Sequence, residues 1–184
     1  MTTPIIFLDF DGVINTPFIL NKEPRLNNHV DKFVSNLQAI KLLNWVYSEY
    51  KFDIVISSTW RLGLSLEELR EILLNSGLNP EIKVLGVTPD LRHKKYDHYI
   101  RLPFKKHIYI HTRRGHEIDQ WIKQYNYSGD FLILDDDADM WKYKKHLILL
   151  HPDDGLTMSK ASILRYRLSQ IYEKEEAKCQ KWCL

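Results

Sequence analysis

Two aspartates spaced two positions apart end the first apolar run of the chain. Residues 5–8 (IIFL) are followed by Asp9-Phe10-Asp11-Gly12, so a segment suited to burial stops at two carboxylates. A second acidic group, Asp135-Asp136-Asp137, follows the apolar run at residues 131–134. Carboxylates held together repel one another unless a cation neutralises them, and a set of oxygen ligands suits magnesium better than zinc. These residue types predict a magnesium site, provided that the fold brings them together.

Five short apolar runs predict the strands that position these carboxylates. They occupy residues 5–8, 54–56, 82–87, 131–134 and 147–150, and they lack polar alternation, as parallel strands buried on both faces do. Four helical patterns lie among them: one capped at Asn27 or Asn28, one opened by a capping box at Ser65 and stopped near Gly77, and two marked by residues 118–125 and 164–171. This alternation predicts a doubly wound α/β sheet in a single domain spanning residues 1–184.

In such a sheet the ligand crevice lies outside the carboxyl ends of the strands. The strand predicted at residues 54–56 ends at Ser57-Ser58-Thr59, which therefore faces the same rim as Asp9 and Asp135. The rim would hold four or five carboxylates beside three hydroxyl-bearing residues.

The order of these groups resembles the haloacid dehalogenase (HAD) superfamily of phosphohydrolases at all four of its motifs. The motifs are FLDFDGV, DIVISSTWR, HTRRGHEIDQWI and FLILDDDADM. The segments SSTWR, GHEIDQWI, LDDDADM and HPDDGLT are further similar to the HAD domain associated with Swiss Army Knife RNA repair proteins. The resemblance implies a three-layer α/β sandwich whose five parallel strands lie in the order 5-4-1-2-3.

The resemblance also implies roles for the acidic residues. Asp9 would be the nucleophile that forms an aspartyl-phosphate, and Asp11 the general acid that protonates the leaving oxygen and then activates water. The metal ligands would be Asp9, the backbone carbonyl of Asp11, and Asp136 with its partner Asp135. An acid at the second position of the first motif suits the hydrolysis of a phosphate monoester, which needs a proton donor there.

Serine and arginine fill the second and third motifs. Ser57 would donate a hydrogen bond to a phosphoryl oxygen, with Ser58 as the alternative. Arg114 would neutralise the nucleophile and the phosphoryl charge, with Arg113 as the alternative, and arginine adds bidentate geometry. Arg61 has two interpretations, a phosphate contact or a pairing with a surface acid. The residues predicted to bind substrate are Ser58, Arg113, Arg61 and Gly12.

Residues 91–114 form a basic stretch. They contain eight lysines and arginines against one acid, Asp97, with four histidines and four interleaved aromatic residues. Basic side chains among aromatics suit a phosphate backbone and stacked bases, although a charged run is also typical of a solvated face. HYIRLPFKKHIYIH alternates like a hairpin that turns at residues 103–105, which predicts a small insert over residues 91–112.

The overall composition excludes other classes. The chain has 26 Lys+Arg and 24 Asp+Glu residues, so its net charge is too small to attract nucleic acid or a membrane surface by itself. No apolar stretch approaches the roughly 20 residues of a membrane span. Cys179 and Cys183 have no partners for a zinc site, so we expect free thiols in the cytoplasm. The oligomeric state stays open.

The segment between the first two motifs leaves only residues 14–25 as a flap once its helix is set aside. A site with so small a cap is open to large substrates. We therefore expect a magnesium-dependent phosphatase that acts on a nucleotide or a phosphorylated nucleic-acid end. The alternatives are a phosphatase of a small phosphorylated metabolite and a non-catalytic nucleic-acid-binding module.

Overall fold

A five-stranded parallel sheet forms the centre of the protein. The computed structural model describes residues 2–16, 37–92, 98–101, 107–110 and 113–182. The strands in these ranges are, in chain order, β1 (Ile5–Leu8), β2 (Asp53–Ile56), β3 (Val84–Val87), β4 (His98–Arg101), β5 (His107–Ile110), β6 (Phe131–Asp135) and β7 (Leu147–Leu149). The sheet has the order β3-β2-β1-β6-β7, and every neighbouring pair is parallel. The α/β class and the strand order predicted from the sequence are therefore confirmed.

The register places the ends of the three central strands at one level. Leu8 of β1 lies opposite Ile56 of β2 and Leu134 of β6. The ladders continue one step further, because the Asp9 N–H donates to the Leu134 carbonyl at 3.0 Å and the Ser57 N–H to the Leu8 carbonyl at 2.9 Å. The residues that follow these strands therefore start at the same edge of the sheet.

Helices cover both faces of the sheet. In the described ranges they are α1 (Leu37–Glu49), α2 (Leu66–Asn75), α3 (Arg113–Gln124) and α4 (Met158–Trp182). Ile6 and Leu8 pack in a core with apolar residues of α1, α2 and α4, whereas Ile5 and Phe7 pack with α3 on the opposite face. Because each of these side chains is almost fully buried and contributes about 1.5–3 kcal/mol, β1 is stabilised from both sides. The three layers of the predicted sandwich are present.

The helix boundaries agree in part with the sequence patterns. The predicted capping box is formed: the Glu68 N–H donates to the Ser65 hydroxyl and the Ser65 N–H to the Glu68 carboxylate. α2 ends at Asn75, and Gly77 has a φ of +88°, a left-handed conformation that suits the predicted stop. The predicted cap at Asn27 or Asn28 and residues 17–25 of the predicted flap lie outside the described residues.

One strand starts later than predicted. β3 begins at Val84 rather than at residue 82, because the Ile82 N–H closes a turn onto the Asn79 carbonyl. Among the helices of the described ranges, none combines the length and the apolar character that crossing a bilayer requires.

The predicted hairpin in the basic stretch is formed. β4 and β5 pair antiparallel as a separate two-stranded sheet, with Tyr99 opposite Tyr109 and Arg101 opposite His107. Its predicted turn at residues 103–105 lies outside the described part of the chain.

A buried carboxylate connects α3 to the 3₁₀ helix Trp141–His146 that follows β6. Asp119 of α3 contacts Lys142 Nζ at 2.6 Å and Lys123 Nζ at 2.8 Å, and it accepts a hydrogen bond from the Tyr143 hydroxyl at 2.7 Å. Burial alone would raise the pKa of Asp119, but these three donors lower it to about 2. The middle of α3 is thereby held against the 3₁₀ helix that follows β6.

Candidate active site

Three carboxylates meet where β1 and β6 end. Asp9, Asp135 and Asp136 each offer an oxygen atom within 4.8 Å of the other two. Asp9 is 4% exposed and Asp135 is fully buried. Like charges at this separation in a dry environment are costly unless cations compensate them. The predicted acidic cluster therefore forms, and it could hold a metal ion.

The pKa values of the cluster reflect this crowding. Burial raises the pKa of Asp135 well above its usual range, the charge of Asp9 raises it further, and Arg114 lowers it in part. Burial and then the charge of Asp9 also raise the pKa of Asp136. A divalent cation would offset both effects by favouring the ionised carboxylates.

Arg114 provides a positive charge from the first turn of α3. Its Nη1 lies 3.3 Å from an Asp9 carboxylate oxygen and its Nε lies 3.4 Å from Asp135, while Nη1 also donates to the Ser57 carbonyl at 2.6 Å. Burial would lower the pKa of Arg114, but the charges of Asp9, Asp135 and other nearby acids outweigh burial and raise it. Of the two arginines predicted for the third motif, Arg114 is the one that contacts Asp9.

Close helix packing brings Arg114 to this position. A Cβ atom added to Gly115 would lie 2.5 Å from the backbone of Met140, so only glycine lets α3 approach this segment. The Arg114 N–H donates to the Asp139 carboxylate at 3.2 Å, and the Gly115 N–H to the Asp139 carbonyl at 3.3 Å. Asp139 thus joins the first turn of α3 to the loop that carries the acidic cluster.

Asp11 lies on a tight turn after β1 and receives two side-chain hydrogen bonds. Asn15 Nδ2 donates to one carboxylate oxygen at 2.7 Å, and Trp60 Nε1 donates to the other at 2.9 Å. Both oxygens are therefore oriented, while the residue itself stays exposed. The sequence analysis missed both donors. The contact with Asn15 could have been expected from its position four residues after Asp11 in the same turn. The contact with Trp60 joins residues 49 positions apart, which no local pattern predicts.

The turn also explains Gly12. Its φ is +69°, and an added Cβ would lie 2.3 Å from Asp136 Oδ2. Its N–H donates to the Asn15 carbonyl at 2.7 Å. The Gly12 N–H is therefore already bonded within the protein and is not free to bind a substrate. The absence of a side chain at Gly12 leaves room for the Asp136 carboxylate.

The two serines after β2 have different surroundings. Ser57 is fully buried, and its hydroxyl has no hydrogen-bond partner among the described residues. The hydroxyl of Ser58 instead accepts a hydrogen bond of 3.4 Å from the Trp60 N–H and caps the 3₁₀ helix Thr59–Leu62. The unpartnered hydroxyl favours Ser57 over Ser58 as the residue that meets a phosphoryl oxygen.

Arg61 is buried, and other groups of the protein occupy its guanidinium. Its side chain is 3% exposed, and its Nη2 contacts Glu117 of α3 at 2.6 Å. Nη1 donates to the Ser57 and Ser58 carbonyls, and Nε donates to the Thr88 carbonyl, all at 2.8 Å. The alternative of a surface pair is wrong, because both partners are buried: Arg61 is a buried connection among the ends of β2 and β3 and helix α3. Its predicted phosphate contact stays a prediction.

Glu117 is the residue of this region that sequence reasoning did not find. It is 4% exposed, and it accepts a hydrogen bond from the Leu91 N–H in addition to its contact with Arg61. Burial raises the pKa of Glu117, and Arg61 lowers it in part. A glutamate next to a predicted helix is usually exposed, so nothing in the sequence indicated that Glu117 is buried.

Arg113 lines a cleft of about 280 Å³ beside Arg114. Its Nε atom is buried and has no hydrogen-bond partner within the described ranges. The predicted substrate contact of Arg113 is therefore sterically available, whereas its predicted alternative role beside the nucleophile falls to Arg114.

A parallel sheet whose carboxyl edge carries Asp9 and Asp11, a buried serine, an arginine and an acidic pair has the organisation of the HAD superfamily. The chain belongs to the family described as the HAD domain in Swiss Army Knife RNA repair proteins, whose family model matches residues 5–161. No curated protein and no solved structure gave a significant match. Family membership supports a HAD-type hydrolase as the general class of activity.

Proposed function

We propose that the protein is a magnesium-dependent phosphomonoester hydrolase that acts through an aspartyl-phosphate on Asp9. Its substrate would be a nucleotide or a phosphorylated nucleic-acid end. The observation that carries the proposal is the position of Asp9, a buried carboxylate 3.3 Å from the Arg114 guanidinium and two residues before an acid held by two donors.

The first step would use both aspartates of the Asp9–Asp11 pair. An Asp9 oxygen attacks phosphorus, the bond between phosphorus and the leaving oxygen breaks, and Asp11 gives that oxygen its proton. Trp60 and Asn15 orient the Asp11 carboxyl, which supports its role as a positioned acid.

The second step would return Asp9 to its starting state. Asp11, now ionised, takes a proton from a water molecule, whose oxygen attacks phosphorus. The bond between phosphorus and Asp9 then breaks, and inorganic phosphate leaves. Arg114 would bind the phosphoryl oxygens in both steps, and the unpartnered Ser57 hydroxyl would donate to one of them.

The donor set at the acidic cluster fits a hard divalent cation, because it consists of oxygen atoms alone and groups three carboxylates within 4.8 Å. Asp9, Asp135 and Asp136, with the backbone carbonyl of Asp11, would hold Mg²⁺. When bound, this ion would neutralise charge on the carboxylates and on the phosphoryl group.

Two observations support a nucleotide or nucleic-acid substrate. The family description refers to RNA repair proteins, and the basic stretch at residues 91–114 has the composition of a phosphate-binding surface. We further propose that the protein acts in the cytoplasm, where the exposed Cys179 would remain a free thiol.

The test is phosphate release, with and without Mg²⁺, from mononucleotides, phosphorylated DNA and RNA oligomers, and small sugar phosphates. Asp9→Asn should abolish turnover. Asp130→Asn is the matched control, because Asp130 is exposed and precedes β6 at the opposite edge of the sheet, and it should keep full turnover. Magnesium-dependent turnover that Asp9→Asn leaves intact would contradict the assigned nucleophile. A lack of turnover on every substrate, with oligomer binding retained, would favour the non-catalytic binding module instead.

A further inference from the structure

The cleft beside the candidate active site is lined by four arginines and three acids, the acids being Glu117, Asp137 and Asp139. The arginines are Arg61, Arg92, Arg113 and Arg114, and the cleft shares Arg114 with the acidic cluster around Asp9. A substrate bound at Asp9 would therefore have this cleft next to it.

Three of these guanidinium groups already have acidic partners. Arg61 contacts Glu117 at 2.6 Å, Arg92 contacts Asp90 at 2.8 Å, and Arg114 contacts Asp9 and Asp135. Burial of a cation is tolerated when such a partner compensates it. The charges of Arg61 and Arg114 are thus compensated inside the protein, whereas Arg92 pairs with Asp90 at the surface.

Arg113 differs from the other three. Within the described parts of the chain it has no carboxylate partner, and its Nε is a buried donor with no acceptor. A buried donor without an acceptor is costly, and an arginine is suited to bind phosphate with two parallel hydrogen bonds. An anionic ligand in the cleft would satisfy both the charge and the orphaned Nε.

The position of Arg113 in the chain indicates which part of a substrate it meets. Arg113 directly precedes Arg114 at the start of α3, and although adjacent helical side chains point in different directions, both residues line the same cleft. A group bound by Arg113 would therefore neighbour the phosphoryl group held between Asp9 and Arg114.

We infer that Arg113 forms a subsite for a second phosphate of the substrate, the phosphodiester adjacent to the phosphate that is removed. The inference rests on the proposed phosphatase function and narrows it from a nucleotide to the end of a nucleic-acid strand. A mononucleotide would leave this subsite empty.

The experiment compares Arg113→Gln with the wild-type protein on four substrates: para-nitrophenyl phosphate, a nucleoside monophosphate, a nucleoside diphosphate and a dinucleotide with a terminal phosphate. We expect kcat/KM for the dinucleotide to fall about tenfold or more, mainly through KM, because the contact would be similar in ground and transition states. The value for para-nitrophenyl phosphate should change less than about twofold. The salt dependence of kcat/KM for the dinucleotide should also become shallower, since one phosphate contact is lost.

Arg165→Gln is the matched control, since it removes the same charge from an exposed position on α4. It should not change the preference for the dinucleotide. The thermal stability of Arg113→Gln should equal that of the wild type or exceed it, because the substitution removes a buried unpaired donor. A marked loss of stability would indicate a structural role and would count against the subsite.

Other outcomes separate the inference from the proposed function. Equal losses on para-nitrophenyl phosphate and on the dinucleotide would overturn the subsite while leaving the phosphatase intact. An effect confined to the nucleoside diphosphate would assign the second phosphate to a pyrophosphate and would overturn the strand-end assignment. If the wild type hydrolyses nothing, the proposed function fails, and equilibrium binding then decides the subsite. A dinucleotide preference that Arg113→Gln removes supports it, and equal affinity of the wild type for mono- and dinucleotides refutes it.

Discussion

Replacing Arg61 by methionine should destabilise the protein strongly. The guanidinium is 3% exposed and lies 2.6 Å from a Glu117 carboxylate that is 5% exposed. Methionine fills much of the volume but leaves Glu117 buried without its cation, a change that costs about 3–5 kcal/mol in other proteins. The Thr88 carbonyl would also lose its side-chain donor, whereas the Ser57 carbonyl keeps Arg114 and the Ser58 carbonyl keeps a backbone N–H. We therefore expect a cost of about 4 kcal/mol, the middle of that range.

Urea unfolding followed by circular dichroism measures this cost. A loss of about 4 kcal/mol corresponds to a decrease in Tm of about 8–16 °C for a chain of this size. Arg165→Met is the matched control, because Arg165 makes a similar contact with Glu49 on the surface, and its cost should stay below about 1 kcal/mol. A cost for Arg61→Met as small as that of the control would refute the assignment of Arg61 as a buried connection.

Two further measurements identify the unpaired carboxylate as the cause. The double variant Arg61→Met/Glu117→Gln should be more stable than Arg61→Met alone, because glutamine removes the buried charge and can still accept from the Leu91 N–H. Burial already raises the pKa of Glu117 in the folded protein, so the folded state binds a proton more readily than the unfolded state. Stability therefore falls as pH rises through this pKa, and the deficit of Arg61→Met should be smaller in mild acid than at neutral pH. A deficit that does not depend on pH would show that Glu117 gains access to water.

Two other changes test the geometry of the turn and of α3. Gly12→Ala should abolish or greatly weaken the thermal stabilisation by Mg²⁺, because the new Cβ would lie 2.3 Å from Asp136 Oδ2 on a backbone with a φ of +69° that itself costs about 1–2 kcal/mol for alanine. Gly63→Ala, with no atom near its added Cβ, should respond to Mg²⁺ like the wild type, and an unchanged response of Gly12→Ala would contradict the proposed metal site. Asp119 contacts two lysines whose side chains are 68% and 47% exposed. In the folded protein its pKa is about 2, below the value of about 3.9 of a free aspartate. The ionised Asp119 therefore stabilises the fold above a pH of about 4, and this stabilisation is lost as the pH falls toward about 2. On acidification the wild type should therefore lose about 1 kcal/mol more than Asp119→Asn, and equal losses in acid titrations of the two proteins would refute this.

The sequence predicts the parts of the site that follow directly from strand position. Asp9, Ser57 and Asp136 could be found because each comes just after a buried apolar run, and parallel strands end at a common edge. The strand order came from the resemblance to a family. The start of β3 was predicted two residues too early, because the buried Ile82 belongs to a turn and not to the strand.

The sequence does not predict contacts between distant segments. Trp60 reaches Asp11 across 49 positions of the chain, and Arg61 meets Glu117 across a similar separation. Both depend on how the loop after β2 packs against other elements, which local patterns do not encode. The choice between Arg113 and Arg114 likewise depends on the rotation of α3, which the contact between Gly115 and Met140 determines.

The central position of β1 has a consequence for synthesis of the chain. β1 pairs with β2 within the first third of the sequence, but its other edge pairs with β6, which begins at Phe131. During synthesis, one side of this apolar strand therefore stays unpaired until β6 has been made. Such an edge is prone to aggregate, so the yield of folded protein should depend on how quickly translation delivers β6. The same arrangement makes the acidic cluster a late feature of folding, because Asp135 and Asp136 can join Asp9 only once β6 has paired with β1.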